Sequence, residues 1–400
     1  MSDEISSTDD VRPYLDLVVI SHFDRDHISG IIRLLERFDV GDLLLPYVPL
    51  WKRLAIAFQL NERPRSSLTR FLLDPIEFIS RLSGSSVKRI LYTLSAEPPL
   101  DGAVSEARGP VSPDGARVTE TTRPSPHDQT EEGEGTNLNI RIQKHVFSDS
   151  DITQEKLVDS EDLNRHSVSG IEVEYLAVGS ALVVANRWEF VPYNDAKLAS
   201  LATAAFRKEV ERLRNDLLLT SERRVREQAF QDLKNYYDIT LGRSNESRNV
   251  ISLFMYAGPM SSSLDRCRSR SYVEISTEGG RYLRNCLGIE DRWGGVLYTG
   301  DGYIDNDRRL LSLQSYLTSN RFSRIYILQV MHHGAEDNWY KNLAKKIKPS
   351  FSVFSSDPGH GGYKHPHAAV LRDFWPYGPL QVNKQTTVTF EFEYKFVTGR

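Results

Sequence analysis

The apolar and polar positions at the start of this 400-residue chain predict a strand, a helix and a second strand. The run from Tyr14 to Ile20 is almost wholly apolar, and polar residues follow it at once. Between Ile28 and Phe38 the apolar residues recur at the spacing of one helix face. Asp42 to Pro46 then has the pattern of a short strand. Strand, helix and strand in this order form a βαβ unit, which indicates a layered α/β domain.

Further strand patterns occur in the final part of the chain, and acidic residues or histidines follow several of them. In α/β folds, functional sites are built where strands end. The predicted strands are Val250–Ala257, Val296–Thr299, Arg324–Val330, Ser350–Ser355 and the alternating segment 385–396.

The composition changes sharply between residues 96 and 137, where prolines, glycines and polar residues predominate. Such a segment buries too little apolar surface to offset its chain entropy, so we expect disorder there. One or two strands are predicted within 171–185, and a charged helical region within 195–237. We therefore divide the chain into a first part of the α/β domain (1–95), an acidic, proline-rich insertion (96–170), a helical insertion (171–245) and the second part of that domain (246–400).

The overall composition narrows the class of protein. With 40% hydrophobic and 26% charged residues, the chain can bury a sizeable core. It has no apolar run long enough to span a membrane, and its acidic first residues are unlike a signal peptide. Two cysteines are too few for a disulfide framework. We therefore expect a cytoplasmic protein that does not act in a membrane.

The net charge of −4 conceals an uneven distribution. Residues 95–170 contain 15 acidic and 7 basic residues, a balance of −8, so the rest of the chain carries +4. A mildly basic remainder permits a phosphate-bearing partner without requiring one.

Seven of the ten histidines lie in three short segments. The most informative segment, H-F-D-R-D-H at 22–27, follows the first strand. On a strand-end turn, His22 and Asp24 point one way, and Asp26 and His27 can curl round to a second position. Imidazole nitrogens and carboxylate oxygens are ligands that borderline or hard divalent ions prefer. A polar loop with incidental histidines is the alternative interpretation.

Five motifs together resemble the metallo-β-lactamase fold superfamily, and within it the metallohydrolase domain of ComEC-type DNA-uptake proteins. They are SHFDRDHISG at 21–30, NVIS at 249–252, LYTGD at 297–301, HHG at 332–334 and YKHPH at 363–367. The resemblance covers residues 14–50 and roughly 246–375. It implies an α/β fold, a metallo-β-lactamase-like αβ/βα sandwich, that carries a large, partly disordered and helical insertion.

The resemblance implies a two-metal hydrolase, in which the H-F-D-R-D-H segment supplies two ligands to each ion and one aspartate bridges both. One histidine completes the set. The order of the strands favours His365, as in the phosphodiesterases, over His333, as in lactamase-like members. The ions would be Mn²⁺ or Zn²⁺, with Mg²⁺ a further candidate. The implied metal ligands are His22, Asp24, Asp26, His27, Asp301 and His365.

Other residues would act on the substrate. His332 and His333 would contact the scissile phosphate or protonate the leaving group, and Asp26 would join them in the catalytic set. The implied substrate-binding residues are Asn249, Ser252 and His367.

Two features depart from the family pattern. Asn249 stands where a histidine of the first metal site is usual, which makes the ligands of one ion richer in oxygen. The strands that normally precede the histidine motif have no counterpart in the few residues before Tyr14. They are missing, replaced elsewhere in the chain, or supplied by a protein partner.

The activity that the resemblance implies is phosphodiester hydrolysis, most specifically of DNA, with a water activated by two ions. A metallohydrolase of a small ester, lactone or phosphoester would keep the metals but change the substrate. A scaffold subunit with a degenerate site is a third hypothesis. It is disfavoured because Asn249 is the one ligand position without a competent group.

Limited proteolysis tests the predicted insertion. A protease that accepts many sequences should cut first within 96–137, because disordered, polar segments are the preferred sites of cleavage. Mass spectrometry of the first fragments locates the cut. Deletion of 96–137 should leave a folded protein, and a deletion variant that cannot fold would show that the segment belongs to an ordered domain.

Overall fold

The structure of the chain is a computed structural model of mixed α/β character, with parallel and mixed sheets. It describes residues 12–60, 62–82, 86–94, 118–123, 140–145, 167–168, 170–176, 179–184, 187–194, 208–212, 222–241, 252–260, 267–286, 294–359 and 364–396.

Strands and helices alternate along much of the described chain. The strands are β1 (Tyr14–Val19), β2 (Asp39–Pro46), β3 (Ser86–Thr93), β4 (Val118–Arg123), β5 (Ile140–His145), β6 (Ser167–Val168), β7 (Ile171–Leu176), β8 (Ala181–Val184), β9 (Trp188–Asn194), β10 (Leu253–Pro259), β11 (Cys267–Thr277), β12 (Gly280–Cys286), β13 (Gly295–Tyr298), β14 (Ile325–Gln329), β15 (Phe351–Ser355), β16 (Pro379–Val382) and β17 (Thr387–Phe396). The helices are α1 (Arg25–Leu35), α2 (Leu50–Gln59), α3 (Ser67–Leu73), α4 (Pro75–Ser80), α5 (Arg223–Leu241), α6 (Asp307–Phe322), α7 (Leu343–Ile347) and α8 (Ala368–Phe374).

The chain divides into two compact units. The first contains residues 1–92, 153–175 and 200–248, and the second contains 93–152, 176–199 and 249–400. None of the described helices has the length and apolar content that crossing a bilayer requires.

The predicted βαβ unit is present in the first unit. β1 and β2 are parallel, with Tyr14 opposite Asp39, and α1 connects them. The apolar face of α1 buries Ile28 and Leu35, each 1% exposed. The strands of this sheet follow the order β1-β2-β3-β7-β6, so three strands from later in the chain extend it beyond β2.

A buried ionic cluster links three adjacent strands of this sheet. Arg89 on β3 donates from Nε to the carboxylate of Asp42 on β2 at 2.8 Å, and from Nη1 to that of Glu174 on β7 at 3.2 Å. Arg89 and Asp42 are 2% and 0% exposed. Because a buried charge must stay paired, the cluster allows only the register that keeps these three side chains together.

The second unit is built on a nine-stranded mixed sheet with the order β16-β15-β14-β13-β10-β9-β8-β5-β4. β13 to β16 are parallel neighbours, and β10 joins them antiparallel through β13. A core cluster packs residues of α6, α7 and α8, including Leu313, Leu343 and Phe374, against sheet residues such as Leu328. A second cluster joins Tyr326 of the large sheet to a three-stranded sheet with the order β12-β11-β17.

The predicted strands of the final part of the chain are confirmed, with bounds that differ by up to three residues. The two predicted insertions contain more strands than their composition indicated. β7 and β8 confirm the one or two strands predicted within 171–185, and α5 overlaps the predicted charged helical region. Short strands β4, β5 and β6 within 96–170, and β9, were not predicted. These strands form because they pair with sheet neighbours, which segment composition does not report. The remainder of 96–137 lies outside the described residues, and its disorder stays a prediction.

Replacement of Arg89 by Met should lower the free energy of unfolding by about 3–5 kcal/mol, because the Asp42 carboxylate would stay buried without its guanidinium. Arg81 provides the matched control. Its pair with Glu77 is exposed, and such pairs contribute about 0–1 kcal/mol. Urea unfolding of the R89M and R81M variants measures both changes. Equally small losses in the two variants would contradict a structural role for the cluster.

Candidate metal centre

Three parallel strands of the second unit end at the same edge of the sheet, and the predicted site residues follow those ends. β13 leads to Asp301, β14 to His332 and His333, and β15 to His365 and His367. β14 pairs in parallel with both β13 and β15. Parallel neighbours therefore bring residues that are distant in sequence to one place.

The loop that carries Asp301 is fixed by backbone contacts on both sides. The His332 amide donates to the Gly300 carbonyl at 3.0 Å, and the Thr299 hydroxyl donates to the Gln329 carbonyl at 2.7 Å. Gly300 has a φ of +51°, a conformation that favours glycine. The loop after β13 is thus attached directly to the end of β14.

His332 and His333 direct their rings at the Asp301 carboxylate. Nε2 of His332 lies 3.7 Å from Oδ2, and Nε2 of His333 lies 3.9 Å from Oδ1. Both histidines have left-handed backbones, with φ of 43° and 59°. Non-glycine residues in this region store strain of about 1–3 kcal/mol each, and such strain clusters at functional sites.

The contacts of Nδ1 define the tautomer of each ring. Asn338 donates from Nδ2 to the carbonyls of Asp301 and Gly302, so its Oδ1 is an acceptor for Nδ1–H of His332 at 2.9 Å. Nδ1–H of His333 donates to the carbonyl of Ser355. When these rings are neutral, each therefore turns an unprotonated Nε2 towards Asp301.

His365 and His367 belong to the same group of imidazole rings. The ring centroid of His365 lies 5.7 Å from that of His332, 6.3 Å from that of His333 and 4.8 Å from that of His367. Burial lowers the pKa of His365, the three neighbouring histidines lower it further, and Asp301 opposes them. These effects favour the neutral form of His365.

His367 has the opposite tautomer to His332 and His333. The backbone N–H of Glu336 donates to its Nδ1 at 2.9 Å, which places the proton of the neutral ring on Nε2. Its own amide donates to the Gly334 carbonyl at 3.0 Å. Gly334 has a φ of +87°, and a Cβ there would lie 2.7 Å from Pro366. The H-H-G and H-P-H segments are therefore in close contact.

The H-F-D-R-D-H segment belongs to the first unit, where it forms the junction between β1 and α1. His22 is 5% exposed and its Nδ1 is hydrogen-bonded to the Ser21 hydroxyl at 2.9 Å. Its Nε2 lies 3.9 Å from Oδ2 of Asp24, and its ring centroid lies 3.9 Å from that of His27. One carboxylate and two imidazoles thus converge at the N-terminus of α1.

Arg25, inside this segment, donates from Nε and Nη2 to Oε1 of Glu62, with Nε at 2.8 Å. The pair connects the start of α1 to the segment that follows α2. It restrains the turn that carries His22, Asp24 and His27.

The structure describes the remaining predicted site residues only in part. Ser252 is 2% exposed, and its hydroxyl donates to the Thr299 carbonyl at 3.3 Å, a contact between β10 and the Asp301 loop. Its role in substrate binding stays a prediction. The side chain of Asp26 and the whole of Asn249 lie outside the described residues.

Asn338 and the Ser355 carbonyl are functional groups that the sequence did not indicate. A single asparagine in a loop has no periodicity, and a backbone carbonyl has no sequence pattern at all. The one available signal was the position of Asn338 shortly after H-H-G.

Comparison with known protein families, with curated proteins and with solved structures finds no match to this chain.

The donor atoms of both units suit a divalent cation. Neutral imidazole nitrogens together with carboxylate oxygens are ligands for Zn²⁺ and Mn²⁺. In the second unit, His332 and His333 each donate Nδ1–H to an oxygen, which is the usual outer contact of a metal-binding histidine. Two Nε2 lone pairs directed at one carboxylate repel it unless a cation or proton lies between them.

Replacement of Gly302 by Ala should disrupt the Asp301 loop, because an added Cβ would lie 1.7 Å from Cε1 of the buried Phe254. We expect a loss of about 1–3 kcal/mol, the usual cost of overpacking. Gly279 is the control, since the nearest atom to a Cβ there is 3.7 Å away. Urea unfolding measures both variants, and a G302A variant as stable as G279A would contradict the packing described for this loop.

Proposed function

We propose that the chain is a metal-dependent phosphodiesterase, most specifically a DNA nuclease, with the metallo-β-lactamase-like αβ/βα sandwich that its motifs imply. The observation that carries the proposal is the approach of two histidine Nε2 atoms to the two oxygens of Asp301, with both Nδ1 atoms held by acceptors. The layered α/β second unit, with helices on one face of its sheet, is compatible with the proposed fold.

The proposed ligands are those that the motif resemblance implies. When bound, two divalent ions would lower the pKa of a water from about 15.7 towards 7 and would stabilise negative charge on phosphoryl oxygens. The metal would be Mn²⁺, Zn²⁺ or Mg²⁺. The proposed ligands are His22, Asp24, Asp26, His27, Asp301 and His365.

The remaining histidines would act on the substrate through defined ring atoms. His332 and His333 would exchange a proton through Nε2, because Nδ1 of each is already committed to an acceptor. His367 would donate from Nε2–H to a phosphate oxygen, since its Nδ1 accepts from Glu336. The cluster thus contains both unprotonated nitrogens, on His332 and His333, and an N–H donor, on His367. Hydrolysis uses both kinds of group, because the attacking water loses a proton and the leaving oxygen gains one.

A metallohydrolase of a small ester, lactone or phosphoester is the second candidate, and it would use the same ligands. The mildly basic charge outside residues 95–170 favours nucleic acid over a neutral ester. A protein partner that supplies or covers further N-terminal strands, and a cytoplasmic location, remain parts of the proposal.

Nuclease assays separate the two candidates. Purified protein incubated with Mn²⁺ should cleave plasmid or single-stranded DNA, and EDTA should abolish cleavage because the attacking water is activated by metal. Parallel assays with Mg²⁺ and Zn²⁺ identify the preferred ion, and an asparagine variant of Asp301 is the control for a contaminating nuclease. Hydrolysis of small esters without cleavage of DNA or RNA would contradict the nuclease proposal.

Alanine variants of His333 and His365 distinguish the last ligand. With His365 as ligand, H333A should retain its metal but lose roughly 10²–10⁴-fold in turnover, the usual contribution of a general acid or base. H365A should lose metal. Metal analysis by mass spectrometry, together with turnover, measures both effects. Loss of metal from H333A but not from H365A would reverse the assignment and would weaken the case for a phosphodiester substrate.

A further inference from the structure

Asn338 is a buried polar side chain that contacts two parts of the second unit's cluster at once. It is 1% exposed and lies in a short turn that follows the H-H-G segment. Its side chain makes hydrogen bonds to both the Asp301 loop and the ring of His332. In the proposed mechanism, Asn338 enters as the acceptor for Nδ1 of His332.

The amide group uses its two ends for different purposes. Nδ2 donates to the carbonyl of Asp301 at 2.9 Å and to that of Gly302 at 3.1 Å, so it holds the loop that carries the carboxylate. Oδ1 accepts from Nδ1 of His332 at 2.9 Å, so it holds the ring. The backbone carbonyl of Asn338 also accepts from the backbone N–H of Ile304 at 3.0 Å. This contact fixes the backbone of Asn338 relative to the same loop.

These contacts determine which nitrogen of His332 is protonated. The side-chain amide of Asn338 cannot be rotated by 180° here, because rotation would direct its NH₂ group at the ring of His332 and its oxygen at two carbonyls. Two oxygens facing each other without a proton are repulsive, and buried unsatisfied groups cost free energy. Oδ1 therefore selects the Nδ1–H tautomer of His332 and leaves Nε2 unprotonated beside Asp301.

We infer that Asn338 is a positioning residue, which sets the distance between Asp301 and His332 and keeps Nε2 of His332 available to the substrate. The inference deepens the proposed function and rests on it for the role of the cluster. The tautomer itself depends only on the contacts of Asn338. Asn338 also holds the loop of the proposed ligand Asp301, and the loss of such an outer contact weakens metal binding by about 10–100-fold.

A purely structural role for Asn338 is the competing explanation. Under that explanation, its removal would loosen the turn and lower stability, but His332 would be protonated on Nε2, as a neutral histidine side chain in water mostly is. The state of the ring therefore distinguishes the two explanations, whereas stability alone does not.

The first measurement uses the wild-type protein. A long-range ¹H–¹⁵N correlation spectrum of ¹⁵N-labelled protein with EDTA, at an alkaline pH where imidazoles are neutral, reports the protonated nitrogen of each ring. The signals of His332 are assigned by their loss in the H332Q variant. We expect Nδ1 of His332 to be protonated and Nε2 to be unprotonated. A protonated Nε2 would overturn the inference, and this test needs no folded Asn338 variant.

Two variants of Asn338 then separate the roles of its two ends. Asn338→Ala removes both, so His332 should become a mixture of tautomers and the affinity for Mn²⁺ should fall by about 10–100-fold. Asn338→Asp keeps an oxygen for Nδ1–H but loses the donor to the two carbonyls. We expect it to retain the wild-type tautomer of His332 while binding Mn²⁺ less tightly.

Asn306 provides a matched control in the same unit. Its side chain accepts from the amide of Arg309 at the start of α6 and donates to Asp305. Within the described residues, no hydrogen bond joins it to a histidine. Asn306→Ala should lower stability without changing the tautomer of His332 or the affinity for Mn²⁺. A wild-type tautomer in the Asn338→Ala variant would overturn the inference. If wild-type protein binds none of Mn²⁺, Zn²⁺ and Mg²⁺, the proposed function fails, while the tautomer measurement still decides the role of Asn338.

Discussion

The arrangement of the second unit depends on one constraint, the parallel pairing of β13, β14 and β15. Each of these strands is followed by a loop with acidic or histidine side chains, and parallel pairing makes all three loops emerge at the same edge. The amide of His332 and the hydroxyl of Thr299 then join the first two loops directly. Residues that are more than 60 positions apart in sequence, Asp301 and His365, therefore belong to one cluster.

The electrostatic interactions within this cluster indicate what kind of ligand would stabilise it. Asp301 faces two imidazoles whose Nδ1 atoms donate elsewhere, so a carboxylate and two lone pairs face each other. Both histidines also have left-handed backbones, which cost free energy in the folded state. When both rings are neutral, a bound cation would relieve the repulsion between these lone pairs and the carboxylate. His22, Asp24 and His27 in the first unit have the same donor chemistry.

Much of this arrangement could be predicted from the sequence, because it depends on patterns that repeat or cluster. Apolar periodicity predicted β1, α1 and β2, and the histidine segments marked the strand ends at which the cluster lies. The roles of single buried polar residues were not predictable, since Asn338 acts through contacts that only the folded chain creates. For the same reason, composition concealed the short strands within 96–170 and the Arg89 cluster, which depend on neighbours distant in sequence.

The claim that these carboxylates and imidazoles hold metal ions is tested most directly by counting bound ions. Equilibrium dialysis of the purified full chain against Mn²⁺, with free and bound ion measured by electron paramagnetic resonance, gives the number of ions per chain. The account predicts two ions in the wild-type protein and a loss of binding when Asp301 is replaced by Asn. A wild-type chain that binds no Mn²⁺ or Zn²⁺, or an Asn variant that binds as many ions as the wild type, would contradict it.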